Sequence, residues 1–372
     1  MQILAWPKDK KLNPYTGLIY SHLPADAKTD GWPGNLLRKY DVWHVHWPDA
    51  LLGIPNPVHA AYKVSAMFVT MDYLKRRGTR IVWTMHNFAS HEGRHPRLEK
   101  WFWRQFIPHV DGAISLSHTG LAMGLEKFPR LRSVPTAVIP HGHYRTVCKP
   151  SDKARAREIL GIAPGAKVIA FFGAVRAYKN VDALVRLFRE VRDPDAVLFV
   201  AGDPNRADLA AAIEKEAAPD PRVRLRFAFV SDEEAGAILG AADLVVLPYR
   251  EILHSGSAML ALSCNRPIVV PGRGSMGELQ EEFGEDWVKT YRGELTAEIL
   301  EESLEWGMQP RPAICPMPEK YDWASIGAET LRFFQQVASP GATIARKGSL
   351  PVPGEPFLVE VKEKQTRAAA SK

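Results

Sequence analysis

Phe171-Phe172-Gly173-Ala174-Val175-Arg176-Ala177-Tyr178-Lys179-Asn180 ends an apolar run in glycine, presents two cations in a short turn and leads into a helical pattern over 181–191. That is the strand-loop-helix unit of an open parallel sheet, whose ligands sit at the carboxyl ends of the strands. Arg176 and Lys179 beside a helix start suit a diphosphate, because charge-assisted contacts and amide dipoles add there. The same pair also reads as two solvated loop cations. Its neighbours have to decide.

Outward from this turn the rhythm repeats in both directions. Downstream, strands are predicted over 167–173, 196–202, 222–229, 244–247 and 267–270, with helices over 181–191, 207–216 and 233–241 and Asp232 as N-cap of the last. Upstream, strands are predicted over 2–6, 42–47, 80–86, 112–117 and 137–140, with helices over 58–77 and 97–109. Continuous apolar runs alternating with helical patterns mark parallel sheets covered on both faces. The 372 residues exceed one ordinary core and suit two domains of roughly 150 to 180 residues. The predicted division is 1–145, 146–320, a terminal helix over 321–338 and a Pro- and Lys-rich tail over 339–372.

Composition narrows the classes. Apolar residues make up 46% and charged residues 24%, with a formal charge of +6. So small an excess fits an anionic substrate or an anionic membrane surface better than a nucleic acid. Cys148, Cys264 and Cys315 form no metal-ligand spacing and point to a reducing compartment. The start MQILAWPKDKK lacks a signal-peptide pattern, and no apolar stretch reaches a membrane-spanning length. A cytoplasmic protein is expected, at the inner face of the plasma membrane if it touches lipid. Cations and bulky aromatics interleave over 94–106, with a second cationic patch at 73–77. Such a pattern suits a helix lying on a membrane or one packed on a sheet.

Two further turns could meet a ligand. Pro248-Tyr249-Arg250-Glu251-Ile252-Leu253-His254-Ser255-Gly256-Ser257 ends a strand and opens a helix. Small residues there let backbone amides approach an anion, and Glu251 could accept from ribose hydroxyls. In Pro271-Gly272-Arg273-Gly274-Ser275-Met276-Gly277-Glu278, the last residue could accept from sugar hydroxyls. The first half ends one strand in His46, Trp47 and Asp49 and another in His86 and Asn87, followed by Glu92. Aromatic rings stack on sugars, and imidazole or carboxylate can take a hydroxyl proton. By strand alternation His44 packs or bonds within the sheet. His141 and His143 lack a third ligand at fixed spacing, and no metal is expected.

FFGAVRAYKN, AADLVVLPYREILHSGSA and NRPIVVPGRGSMGEL resemble the donor half of glycosyltransferases of the GT-B fold, nearest to retaining family 4 and its relatives in bacterial exopolysaccharide assembly. VIPHG at 138–142 resembles the family's domain-closing segment, and Tyr321-Asp322-Trp323 its late motif, where the last helix returns to the first domain. Asn13-Pro14-Tyr15 resembles the acceptor loop of similar transferases. The resemblance implies an α/β fold of two Rossmann-like domains facing across a cleft, and transfer of a hexose from a nucleotide-diphosphate sugar. That donor, GDP-mannose or a UDP-sugar, is a co-substrate, and no cofactor is required. The acceptor would be a saccharide or a polyprenyl-diphosphate-linked one.

In that resemblance Arg176 and Lys179 hold the diphosphate. From the loops at the strand ends, Gly173, Gly202, Asp203, Val230, Glu251, His254, Ser255, Gly256, Ser257 and Glu278 are expected to complete the donor site. Asn13, Tyr15, Tyr20, His46, Trp47, Asn87 and Glu92 face the acceptor, with His86 and Asp49 as catalytic polar groups. One departure stands out. Family 4 carries two glutamates separated by seven residues, but counting from Glu251 puts Met259 at the second position, and aligning on Gly256 gives Leu253 and Ala261. Retention and inversion both stay open, as do two alternatives. These are an inactive nucleotide-sugar sensor and another GT-B sugar-phosphate enzyme, an epimerase or phosphorylase.

Overall fold

The computed structural model describes residues 1–8, 14–90 and 93–339. Asn13 and Glu92 lie outside these residues, as does the predicted tail from 340 onward. The first six strands are β1 (Gln2–Trp6), β2 (Lys28–Gly31), β3 (Val42–Val45), β4 (Arg80–Met85), β5 (Gly112–Ser115) and β6 (Thr136–Val138). They form one parallel sheet of order β2-β1-β3-β4-β5-β6. The next six are β7 (Lys167–Phe172), β8 (Ala196–Ala201), β9 (Val223–Arg226), β10 (Leu244–Val246), β11 (Ile268–Pro271) and β12 (Val288–Tyr291). They form a second parallel sheet of order β12-β11-β10-β7-β8-β9. This second order is the doubly wound one, and its direction reverses between β7 and β10.

Two strands escaped the sequence reading for one reason. β2 (KTDG) and β12 (VKTY) are edge strands, only partly buried, and so carry no continuous apolar run. A third correction concerns the helix Asp232–Ala241. Its N-cap is Ser231, whose hydroxyl accepts from Glu234 N at 3.2 Å while the Glu234 carboxylate accepts from Ser231 N at 3.0 Å. Asp232 is the first helical residue of this capping box.

The core follows the sheets. β7, β8, β10 and β11 bury Ile169, Phe171, Leu198, Val200, Val246 and Val269 completely. The first sheet has a core on each face, one around Trp43, Trp83, Phe102 and Phe106, the other around Ile3, Val42, Val82 and Phe334. Phe334 belongs to the last helix, Trp323–Ala338, which crosses back to cover the first sheet with Ile326, Phe333 and Val337. Each such side chain contributes about 1.5–3 kcal/mol by burial. The turn at 141–143 anchors this return. A methyl on Gly142 would lie 2.5 Å from the Trp323 ring, and the Trp323 indole N–H donates to His143 O at 2.6 Å.

Candidate active site

A cavity of about 840 Å³ opens between the carboxyl ends of the two sheets. The second sheet contributes the turn after β7 and the loop after β10, the two strands flanking its reversal point. Gly173 sits there at φ 125°, and a methyl on it would lie 2.5 Å from Ser257 Oγ and 3.3 Å from Lys179 Nζ. Only glycine lets these groups converge. Gly202 packs on the Gly173 carbonyl from β8. Arg176 lines the cavity and donates to Val175 O at 2.8 Å and Asp203 O at 3.0 Å, so Asp203 acts through its backbone. Lys179 is only 9% exposed, its ammonium 5.4 Å from the centre of the Tyr249 ring. Among the described residues no carboxylate pairs with it. Asn180, in the left-handed region at φ 58°, turns the chain from this loop into the helix Val181–Phe188.

After β10, Glu251, His254, Ser255, Gly256 and Ser257 all reach the cavity. Ser255 caps the helix Gly256–Ser263, accepting from Ala258 N at 3.1 Å, which aims this helix start at the cleft. His254 stands between the main cavity and a smaller one of about 250 Å³, lining both. It presses on the first half so closely that a methyl on Gly120 would be 2.8 Å from its Nε2. Burial, with His141 nearby, pushes the His254 pKa down to about 3. Burial likewise lowers His141 to about 4.

From the first half, Trp47, Asp49, His86 and Asn87 line the cavity. The Trp47 and His86 rings stack at 4.2 Å, and Asn87 Nδ2 donates to Asp49 at 3.3 Å. Tyr15, Tyr20 and His46 are not at the surface of the cleft. They stand behind it, with Tyr15 edge-on to His86 at 5.1 Å and His46 Nδ1 3.0 Å from His86 Nε2.

Two donor-site expectations are corrected. The Glu278 carboxylate turns away from the main cavity and accepts from His118 N at 2.9 Å and Thr119 N at 2.5 Å. It thus caps the helix His118–Lys127 of the other half, where a negative charge meets free amides. Val230 does not line the cavity either but packs against the second core. Conversely, Lys127, Tyr178, Arg250 and Arg273 line the cleft and were not singled out. The signal lay in the quoted turns for the last three, which carry Tyr178, Arg250 and Arg273 beside the chosen residues. Lys127 closes a helix in the other half and had none. Among the described residues no cluster of His, Cys, Asp and Glu could hold a metal ion.

Two parallel sheets with a cationic, glycine-built turn facing an aromatic and imidazole wall define the GT-B class of glycosyltransferases. Similarity agrees. The family described as "Glycosyl transferases group 1" matches residues 166–300. The chain is 31% identical over 317 residues, 85% of its length, to the GDP-mannose:glycolipid 4-beta-D-mannosyltransferase of Xanthomonas campestris pv. campestris, covering 86% of that protein. Among solved structures, HepE of Anabaena in complex with UDP and glucose matches with a TM-score of 0.61 at 16% identity, covering 91% of this chain and 98% of that one. Sucrose-phosphate synthase from Thermosynechococcus elongatus matches with a TM-score of 0.59 at 17% identity, covering 80% of this chain and 74% of that one. The chain belongs to the group 1 glycosyltransferases, and it is a glycosyltransferase of the GT-B fold.

Proposed function

We propose that the protein transfers mannose from GDP-mannose to a lipid-linked saccharide. The observation that carries this reading is the turn Gly173–Lys179 at the reversal point of the second sheet, where Arg176 and the nearly buried Lys179 line the cavity opposite Trp47 and His86. The near full-length likeness to a GDP-mannose:glycolipid mannosyltransferase supports the donor and acceptor class. The donor diphosphate docks on Arg176, Lys179 and the helix start at Ser255–Ser257, which offset its charge as the sugar–phosphate bond breaks. Making a β-mannoside from an α-linked nucleotide mannose inverts the anomeric carbon. A base in the first half must then take the acceptor hydroxyl proton as the new C–O bond forms. Asp49, buried at the cleft wall, has the acceptor-only chemistry for that role when ionised.

Acceptor-dependent release of GDP from GDP-mannose tests the reading. Release with another nucleotide sugar and none with GDP-mannose would overturn the donor. Ligand-induced stabilisation without release in any acceptor mixture would favour a sensor.

A lipid-linked acceptor also gives the exposed apolar row of the first half a use. Val58, Tyr62, Val69 and Tyr73 lie on one face of the helix Pro57–Arg76, with exposed Trp101 on the next helix and exposed Arg76, Arg97, Lys100 and Arg104 around them. Such a surface suits peripheral contact with anionic lipid at the inner face of the plasma membrane. No helix among the described residues is long and apolar enough to cross a membrane. Co-sedimentation with anionic but not neutral vesicles, weakened by Tyr62→Ser with Trp101→Ser, is expected. Equal recovery from both vesicle types would remove the assignment.

A further inference from the structure

The helix His118–Lys127 belongs to the first half but takes the anion at its start from the second. Its own first turn carries no acidic residue. Ser117 Oγ accepts from Gly120 N at 2.9 Å. The two amides before it, those of His118 and Thr119, donate to the Glu278 carboxylate, one to each oxygen, at 2.9 and 2.5 Å. A helix start leaves its first amides free and favours negative charge there. One carboxylate shared by two amides fixes direction as well as distance. Gly120 then meets the second half again, because its missing side chain makes room for the His254 ring.

Both ends of this contact reach the cleft. Gly120, Met123 and Lys127 recur at helical spacing on one face of their helix. Met123 and Lys127 line the main cavity. Glu278 stands in the helix Met276–Phe283, just after the turn whose Arg273 and Gly274 line the same cavity. That turn is bound in its own half to the loop after β10. Arg273 donates to Arg250 O at 3.3 Å, Ser275 Oγ donates to Leu253 O at 2.6 Å, and Gly274, at φ 57°, packs on the Ile252 carbonyl. One bonded run therefore leads from the donor-side loop, through Glu278, to a helix that carries part of the opposite wall. Capping alone needs no such reach, since an acid in the helix's own first turn would serve.

We propose that Glu278 is a positioning residue that holds the Met123 and Lys127 wall in register with the donor side of the cleft, so that the acceptor meets the donor sugar at attacking distance. The inference rests on the sugar-transfer reading and deepens it. Donor docking on Arg176, Lys179 and the helix start at Ser255–Ser257 is supplied by the second half alone and does not need the contact. Acceptor placement does, and a shift of about 1 Å in a reacting partner can cost about 100-fold in rate. Water needs no wall to hold it, so donor hydrolysis suffers less than transfer.

The test separates the tie between the halves from the helix cap. Glu278→Ala removes both. Adding His118→Glu, at an exposed position, gives the helix an acid in its own first turn and leaves the tie cut. Melts, acceptor-dependent GDP release and acceptor-independent GDP release are compared in the full chain. Glu278→Ala should lower stability and cut transfer about tenfold relative to hydrolysis, with the acceptor KM raised and the donor KM within about twofold. The double variant should regain the stability and not the transfer. Recovery of both would overturn the proposal, because Glu278 would then serve only as a cap. A wild-type ratio of transfer to hydrolysis in Glu278→Ala would overturn it too. A second readout needs no turnover. Spin labels on Glu126→Cys and Glu281→Cys, exposed positions of the two helices, should give a narrow distance distribution that broadens or shifts once Glu278→Ala is added, with or without His118→Glu. An unchanged distribution would overturn the positioning role. A changed one in a protein that transfers no sugar would sink the functional reading alone.

Discussion

Lys179→Met separates binding from folding. The side chain is nearly buried, and among the described residues its ammonium has no carboxylate partner, only the face of Tyr249. Its stem is packed while the residue lines the cavity, and a ring face returns only about 0.5–2 kcal/mol. The ligand-free fold therefore gains little from this charge, and methionine fills nearly the same volume. In the proposed donor-bound state the diphosphate would supply the missing anion. A charge-assisted hydrogen bond contributes about 1.5–3 kcal/mol, so its loss should lower donor affinity and kcat/KM by roughly 10- to 150-fold. The assay pairs thermal melts with and without GDP against acceptor-dependent GDP release. Expected is an unchanged or higher ligand-free Tm, a collapsed GDP-induced shift, and a matching fall in kcat/KM. A lower ligand-free Tm with an unchanged GDP shift would mean that Lys179 serves the fold, and the docking argument would fail.

Other perturbations read other contacts. Glu278→Ala removes a carboxylate that caps a helix of the other half and should cost about 0.5–2 kcal/mol in urea melts, with donor affinity little changed. Gly120→Ala brings a methyl to 2.8 Å from His254 Nε2, so about 1–3 kcal/mol of overpacking is expected, relieved in part by a second change, His254→Ala. His254 and His141 are held neutral, with pKa values pushed down to about 3 and about 4 against about 6.5 unfolded. Their contribution is complete above pH 6.5 and is lost as pH falls toward 4 and 3, because the unfolded chain takes up the proton first. His254→Leu should flatten the acid limb of stability between pH 6 and 4, and an unaltered limb would show the ring to be more hydrated than its burial implies.

Much of the second half was legible because its signals are local. The run 167–173 is apolar on both faces and ends in a glycine forced by Ser257 and Lys179, so strand, turn and cations lie within a dozen residues. Glu278 was misplaced because its partners lie 159 and 160 residues away, and the local pattern shows only an acid after a glycine-rich turn. The histidines behind the cleft wall, His44 and His46, with Thr84 and Tyr20 bonded to them, are an intermediate case. Alternation puts His44 and His46 on one side of their strand and Thr84 and His86 on one side of theirs. What no local pattern supplied was that β3 and β4 pair with His44 opposite Val82, or that Tyr20 fills the gap between the rings. The edge strands β2 and β12 stayed hidden because solvent on one side removes the pressure for apolar residues.

The chain passes between the two sheets twice, once after β6 and once before the last helix, and the two passages are tied to each other. His143 N donates to Tyr321 O at 3.0 Å, the His143 ring meets Asp322 at 2.8 Å, and Trp323 bonds back to His143. Two tethers fastened side by side behave like paired dowels in a joint. Together with the Glu278 contacts to the helix His118–Lys127, they fix the alignment in which the two sheets face each other across the cavity.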